Sequence, residues 1–342
     1  MSEPVLEVED LNIRYETDGG DVAAVTDASF AIDDGEYHGL VGESGCGKST
    51  IAKSVIGGLD ANGYVSSGRI KFRGEEIQDF TDGEYSDRIR WKNISMIPQA
   101  SMNSLDPVMR IHKQALDLSE VHTDWSEEET MDRLAELFDI VGLPPGRMRD
   151  YPHQFSGGMQ QRVVIALALL LEPDLIIADE PTTALDVIMQ DQVMAYLQNI
   201  KEDIDVSLLM ITHDISLVFE ECDSMTVMHG GQVAESGSIR DVFYDPKHPY
   251  SILLQKTFPD IRFPDQELTT IEGTPPILSG EVTECTFADR CPWAEPACRE
   301  GAPPLEASDG NPNHLNSCIR SHEMDELAAD ETRHAEVTDD SY

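Results

Sequence analysis

The chain has 342 residues, enough to bury a large core and to form two domains, or one domain with an appendage. Its 24 Lys and Arg residues are outnumbered by 65 Asp and Glu residues, and the formal net charge is −41. This charge argues against a nucleic-acid partner, because the phosphates would be repelled. The acidic residues are spread along the chain, which favours adaptation to high salt over a generic acidic protein, since salt screens the self-repulsion.

No stretch of the sequence is long and apolar enough to span a membrane. The longest apolar run, Val163 to Leu171, has nine residues, whereas a spanning helix needs about 20. The first residues show neither the basic region nor the apolar region of a signal peptide. We therefore expect a soluble chain that reaches a membrane only by docking on a membrane protein.

A glycine-rich loop lies between a predicted strand and a predicted helix. Residues 5–41 alternate apolar and polar positions and predict short strands, the last of which, Tyr37 to Val41, enters the loop. The loop reads G-x-x-x-x-G-K-S from Gly42 to Ser49, and a helix-compatible run, Ile51 to Ile56, follows it. This context is typical of a phosphate-binding loop, in which backbone N–H groups and the helix N-terminus surround an anion.

The residue types in the loop indicate separate roles toward a nucleotide. The lysine is expected to reach the β- and γ-phosphates and the serine hydroxyl after it to coordinate Mg²⁺. The predicted nucleotide-binding residues of the loop are Gly42, Ser44, Gly45, Cys46, Gly47, Lys48, Ser49 and Thr50. Cys46 is interpreted as a small filler, with an oxidation-sensitive thiol as the alternative.

Tyr15, just before the first turn, is a candidate to stack on an adenine ring. By analogy with base–aromatic stacking, this contact is worth about 1–3 kcal/mol. The alternative interpretation is an ordinary strand tyrosine.

The segment after the loop contains a further strand and then a helical insertion. Asn93 to Gln99 reads as a strand that ends in a glutamine, and residues 100–165 read as mainly helical. Ser126 and Glu129 form the pattern of a capping box at the start of one of these helices. Ser156, followed by two glycines, predicts a second helix whose exposed N-terminus suits an anion.

Two buried strands then deliver polar residues to one edge of the predicted sheet. Leu175 to Ala178 leads into Asp179 and Glu180, and Val206 to Ile211 leads toward His213. Ligands of α/β sheets bind at the carboxyl ends of their strands. We therefore expect these side chains to face the glycine-rich loop.

In this order the motifs resemble those of the ATP-binding cassette ATPases. The resemblance covers roughly residues 5–240 and implies an α/β fold: a P-loop NTPase (RecA-like) core, an antiparallel β subdomain, a helical subdomain and a small Cys-containing C-terminal extension. The stretches that carry it are Gly42–Ser49 (Walker A), Gln99 (Q-loop), Phe155–Gln161 (signature), Leu175–Glu180 (Walker B), Ala184-Leu185-Asp186 (D-loop) and His213 (switch histidine). The signature departs from the commonest form, with Phe155 in place of leucine and Met159 in place of glutamine.

The resemblance implies a role for each matching residue. Glu180 would be the general base, with His213 and Gln99 completing the catalytic set. Ser49, Gln99 and Asp179 would hold Mg²⁺, directly or through water. ATP would be bound by the loop residues and Tyr15, and, from the partner of a head-to-tail dimer, by Ser156, Gly157, Gly158 and Asp186.

Three stretches resemble the oligopeptide, dipeptide and nickel importer subgroup. They are Pro98 to Pro107, Ala178 to Val187, and an end region with Asp245 to Tyr250 and Gly273 to Pro276. The resemblance predicts an ATPase subunit of a peptide importer on the cytoplasmic face of the cell membrane. Its partners would be two integral membrane permease subunits, a paralogous ATPase or a second copy, and indirectly an extracellular solute-binding protein.

The domains implied are an ATP-binding domain over residues 1–245, an extension over residues 246–320 and a disordered acidic tail over residues 321–342. Two alternatives remain. One is an ATPase subunit of the same kind that powers import of nickel or oligosaccharide, and the other is a soluble ATPase without a transport role.

The extension carries four cysteines, Cys285, Cys291, Cys298 and Cys318. Their gaps are awkward for structural zinc, whose ligands prefer pairs two to four residues apart. Four thiolates suit a [4Fe–4S] cluster, and some relatives in the subgroup resemble cluster carriers. Another metal, and free thiols or disulfides, stay open as alternatives. Cys222 stands apart and is expected in the core.

Overall fold

The computed structural model describes residues 3–99, 104–183, 187–204, 206–257, 270–276, 282–308, 310–324 and 326–327. Most of the predicted acidic tail, residues 100–103 and Asp186 lie outside these ranges. The helices of the described part are α1 (Lys48–Val55), α2 (Asp82–Glu84), α3 (Ile111–His122), α4 (Glu127–Ile140), α5 (Gly157–Ala168), α6 (Val187–Asp203), α7 (Ile215–Glu221), α8 (Ile239–Tyr244) and α9 (Pro249–Lys256).

A four-stranded antiparallel sheet precedes and follows the glycine-rich loop in the chain. Its strands are β1 (Leu6–Tyr15), β2 (Val22–Ile32), β4 (Gly63–Phe72) and β5 (Glu75–Glu76), in the order β2-β1-β4-β5. Along β1 buried positions recur every second residue except at an irregularity near its middle, as expected when only one sheet face is buried. The buried face packs with α1 in one hydrophobic core, in which Leu11 and Ile13 join Ile51 and Val55.

The second sheet has eight strands and carries the loop at its centre. Its strands are β3 (Tyr37–Gly42), β6 (Ile94–Ile97), β7 (Leu175–Asp179), β8 (Ser207–Thr212), β9 (Ser224–His229), β10 (Gln232–Ser238), β11 (Glu306–Ser308) and β12 (Asn311–Asn316). Their order is β11-β12-β10-β9-β3-β8-β7-β6. The five strands from β9 to β6 in this order are parallel to one another, and β9 is antiparallel to β10. Every residue of β3, β7 and β8 is buried, which explains their continuous apolar runs.

Helices α3 and α4 lie between β6 and α5 in the chain; α3 packs against α4, and α4 packs against α5. The predicted capping box at the start of α4 is confirmed, because the Ser126 side chain accepts from the Glu129 N–H and the Glu129 carboxylate accepts from the Ser126 N–H. Leu134 and Phe138 of α4 are fully buried and pack in the same core as Val163 of α5. This group and the two sheets confirm the predicted α/β class.

A buried carboxylate ties the C-terminal residues to the eight-stranded sheet. Glu235 on β10 is fully buried and accepts hydrogen bonds from the backbone N–H groups of Lys247 and His248. Its Oε1 also lies 2.6 Å from Nε2 of His314 on β12. Because a buried carboxylate is costly without such partners, these contacts fix α9 and β12 against β10.

Within the part of the chain that the structure describes, none of the helices combines the length and apolar character needed to cross a bilayer.

Candidate active site

The glycine-rich loop joins β3 to α1 and depends on backbone conformations that favour glycine. Gly42, Gly45 and Gly47 have φ values of 153°, 82° and 105°. A Cβ atom at Gly42 would lie 2.2 Å from the Met228 carbonyl oxygen, and one at Gly47 would lie 2.6 Å from the Ala24 carbonyl oxygen. These two glycines therefore allow the close approach of β2 and β9 to the loop, as well as its curvature.

Lys48, the first residue of α1, is buried, with 6% of its surface exposed. Its Nζ donates to the carbonyl oxygens of Gly42 at 2.7 Å and Glu43 at 2.9 Å. The ammonium group thus lies close to the N-terminus of α1. Its charge and the positive end of the helix dipole both favour an anion there.

Cys46, beside Lys48, is also buried, and burial raises the pKa of its thiol. A buried thiol with a raised pKa is poorly reactive, which favours the filler interpretation.

The carboxyl ends of β3 and β7 bring a hydroxyl and a carboxylate together. The Ser49 Oγ, in the first turn of α1, donates to Oδ1 of Asp179 at 3.1 Å. Burial raises the pKa of Asp179, and the bond from Ser49 opposes that effect. One hydroxyl and one carboxylate oxygen side by side match the hard oxygen ligands that Mg²⁺ takes.

Glu180 is the centre of the polar network at this edge. Its Oε2 accepts from Nε2 of Gln99 and from Oγ1 of Thr183, both at 2.8 Å, and its Oε1 lies 3.3 Å from Nδ1 of His213. The residue has a φ of 47°, and its N–H donates to the Ile211 carbonyl of β8. Glu180 therefore follows β7 in a left-handed backbone conformation, which non-glycine residues rarely adopt.

The pKa values of the adjacent residues Asp179 and Glu180 are shifted in opposite directions. Burial acts to raise the pKa of Glu180, but the hydrogen bonds from Thr183 and His213 outweigh it, and its pKa lies below the usual value. Glu180 is therefore ionised at neutral pH and can accept a proton. Thr183 was missed by the sequence analysis, although its position three residues after Glu180 in a tight turn is a usable signal.

Glu180, Gln99 and His213 line one cavity of about 510 Å³, whereas Lys48, Ser49 and Asp179 are not part of its lining. Its walls come from the glycine-rich loop, the ends of β6, β7 and β8, and also from the C-terminal region. The lining residues are Gly42, Glu43, Ser44, Gln99, Glu180, His213, Leu254, Thr257, Thr270 and Ile271. The sequence analysis did not expect the last four, because they are distant in the chain from every nucleotide-binding motif.

Other predicted site residues lie on different elements. Ser156 is the N-cap of α5, and its Oγ accepts from the Met159 N–H at 3.4 Å. Among the described residues, the lining of the cavity does not include Ser156, Gly157 or Gly158. Tyr15 ends β1, opposite Val22 and Gly63, and is partly buried.

The four predicted cysteine ligands line a second, smaller cavity together with apolar side chains such as Phe287 and Trp293. Burial raises the pKa of Cys291 to about 11 and that of Cys318 to about 12. In the described part of the chain, no group of three or more His, Cys, Asp or Glu side chains is arranged to hold a metal ion.

Comparisons with known proteins agree with this architecture. The chain belongs to the ATP-binding cassette family: residues 25–183 match the model of the ABC transporter family. Residues 234–298 match the model of the oligopeptide/dipeptide transporter C-terminal region. The chain is therefore an ATPase of a family that binds ATP with Mg²⁺.

Individual relatives cover nearly the whole chain. The oligopeptide transport ATP-binding protein OppD of Escherichia coli (strain K12) is 43% identical over 322 residues, which span 94% of each chain. The dipeptide transport ATP-binding protein DppD of Bacillus subtilis (strain 168) is 43% identical over 85% of this chain and 87% of its own. The dimeric ATP-binding cassette MJ0796 bound to ADP and Pi superposes with a TM-score of 0.61 and 27% identity, over 69% of this chain and 99% of its own.

The close contacts around Gly47 predict that a side chain at this position destabilises the fold. Gly47→Ala should lower the free energy of unfolding by about 3 kcal/mol, because it adds a clash with the Ala24 carbonyl oxygen to backbone strain. Gly45→Ala is the matched control: it meets no atom within 4 Å and should cost only about 1 kcal/mol of backbone strain. Urea unfolding without nucleotide measures both. Equal losses would contradict the steric argument.

Proposed function

We propose that the chain is the ATP-hydrolysing subunit of an importer that carries peptides across the cell membrane. The observation that supports hydrolysis is the Glu180 carboxylate, held by Gln99, Thr183 and His213 beside the phosphate loop. Support for peptides comes from the C-terminal match and from relatives named for oligopeptide and dipeptide transport.

The phosphate loop is proposed to bind the triphosphate of ATP. Lys48 would exchange its carbonyl partners for β- and γ-phosphate oxygens, while the loop N–H groups and the α1 N-terminus contact the phosphates. Ser49 and Asp179, with Gln99, would hold Mg²⁺, which neutralises phosphate charge when bound. The 3.1 Å contact between Ser49 and Asp179 supports this ligand set.

Glu180 is proposed to act as the general base. It would accept a proton from water as the water oxygen attacks the γ-phosphorus and the bond to the ADP oxygen breaks. Gln99 and Thr183 donate to Oε2 of Glu180, while the other carboxylate oxygen, Oε1, lies near Nδ1 of His213. They would thus orient the base while His213 contacts the γ-phosphate.

A second cassette is proposed to complete the ATP site. The cavity is lined by one set of motifs, while Ser156 caps α5 outside that lining. In a head-to-tail dimer, Ser156, Gly157 and Gly158 of one cassette would contact the γ-phosphate bound to the other. The role of Asp186 is proposed by resemblance alone, and the stacking of Tyr15 on adenine is proposed from its position before the first turn.

The membrane partners are proposed to be two integral permease subunits, which the chain would join at the cytoplasmic face of the membrane. An extracellular solute-binding protein would deliver the peptide to them. The second cassette of the complex would be a paralogous ATPase or another copy of this chain.

Replacing the base tests the catalytic assignment. Glu180→Gln should lower kcat for ATP by about 10²- to 10⁴-fold, because the amide cannot accept the proton, and should leave ATP binding intact. It should also abolish peptide uptake into proteoliposomes that contain the membrane subunits. Glu128→Gln, at an exposed position of α4, is the matched control and should behave as the parent. Normal hydrolysis by Glu180→Gln would refute the base assignment.

A [4Fe–4S] cluster is proposed as a structural group of the C-terminal region. The support is that all four cysteines line one cavity, and four thiolates are the ligand set of such a cluster. Its role would be to pin the region onto the core.

Anaerobic purification tests the cluster. The protein should be brown, with broad visible absorbance and about four irons per chain, and Cys298→Ser should lose both. Cys222→Ser is the control, because Cys222 does not line the cysteine cavity, and this variant should keep the colour. A colourless parent with bound zinc would contradict the proposal.

Adaptation to high salt is proposed from the net charge of −41. Self-repulsion among the carboxylates should weaken as salt screens them, over about 10 Å at 0.1 M and about 3 Å at 1 M. Helicity by circular dichroism should therefore be higher, and the Tm should rise, in molar KCl compared with low salt. Equal folding at both concentrations would exclude this adaptation.

A further inference from the structure

The phosphate loop contains an acidic residue that contacts a C-terminal arginine. Arg290 donates from its two terminal nitrogens to the two oxygens of Glu43, at 2.6 and 2.7 Å. The Arg290 side chain is only 6% exposed, and that of Glu43 is 24% exposed. A bidentate pair of this kind fixes both groups and is stronger than a neutral hydrogen bond.

The same guanidinium also binds a second segment next to the lining of the cavity. Its Nε donates to the Glu272 carbonyl oxygen at 2.9 Å. The two residues before Glu272, Thr270 and Ile271, line the cavity together with Glu43. Arg290 therefore connects the phosphate loop to the C-terminal segment that faces it.

The surroundings of the pair keep it in place. The Glu43 N–H donates to the hydroxyl of the buried Tyr250 at 3.0 Å. Burial, together with the charge of Arg290, lowers the pKa of His229 to about 3. This imidazole is therefore neutral, and its Nε2 can accept a fourth hydrogen bond from Arg290, at 3.2 Å.

The charge of Glu43 raises a specific electrostatic problem. Glu43 belongs to the lining of the cavity that is proposed to receive the triphosphate of ATP, and like charges near a partly buried site repel each other. The positive charge of the Arg290 guanidinium neutralises the negative charge of the Glu43 carboxylate that it contacts.

We propose that Arg290 is a positioning residue for ATP: it neutralises Glu43 and holds the loop and residues 270–273 around the nucleotide. This inference rests on the proposed function of the loop as an ATP site. It also places the C-terminal region, whose Cys291 is the next residue in the chain, in direct contact with that site.

The test compares the binding of MgATP to the full chain by titration calorimetry, at the KCl concentration that gives the chain its full helicity. Arg290→Gln should weaken binding about tenfold, because it leaves a carboxylate unpaired near the phosphates. The KM for ATP should rise in parallel while kcat at saturating ATP stays within about twofold. Arg299→Gln is the matched control: this arginine, nine positions further on, pairs with exposed Glu284 and Asp289 and should bind ATP as the parent does.

The double variant separates a charge effect from a folding effect. Glu43→Gln combined with Arg290→Gln should restore binding to within about twofold of the parent, because the repelling carboxylate is gone. Glu43→Gln alone should bind at least as tightly as the parent, and it remains informative where Arg290→Gln does not fold. The proposal is overturned if Arg290→Gln matches Arg299→Gln, if the double variant stays as weak as Arg290→Gln, or if Glu43→Gln alone weakens binding. Failure of the parent itself to bind MgATP would refute the ATP site instead.

Discussion

The position of the Glu180 carboxylate depends on one constraint, the common edge at which the parallel strands end. β3, β6, β7 and β8 all point toward this edge, and each is followed by a residue or loop of the site. Since β7 is buried along its whole length and paired on both sides, it cannot shift relative to its neighbours without breaking two ladders. The carboxylates after it are therefore fixed relative to the phosphate loop before any ligand binds.

This rigidity separates the two adjacent carboxyl groups chemically. Asp179, the last residue of β7, is buried and directed to the Ser49 hydroxyl, whereas Glu180 turns through a positive φ toward Gln99, Thr183 and His213. One residue of chain thus separates the surroundings of the proposed metal ligand from those of the proposed general base. The left-handed conformation of Glu180, which costs free energy locally, directs its carboxylate to the second set of partners.

The local parts of the site could be predicted from the sequence, because their determinants are close together in the chain. The loop from Gly42 to Ser49 and the capping box of α4 depend on short spacings, and both lie where the sequence predicts them. The starting point of α1 was less accurate, since the helix begins at Lys48 and not at Ile51. A lysine and a serine are poor markers of a helix start when the loop itself supplies the cap.

The contribution of the C-terminal region to the ATP cavity could not be predicted in the same way. β12 has the sequence Asn311–Asn316 NPNHLN, which carries no strand pattern, and it exists because β10 offers it a free edge and Glu235 binds His314. Likewise, Arg290 lies 247 residues from Glu43, and no local rule relates them. Contacts of this kind are determined by tertiary packing alone.

The acidity of the chain explains why that long-range contact matters. With a net charge of −41, the average field of the protein repels a triphosphate, so binding depends on positive groups concentrated at one point. Lys48 and the N-terminus of α1 supply part of that local field. A carboxylate in the same loop would cancel much of it. In the proposed ATP site, pairing Glu43 with Arg290 removes this cost and makes the charge balance depend on a segment outside the nucleotide-binding motifs. The C-terminal region thus adds two strands to the sheet and also lines the cavity beside the phosphate loop.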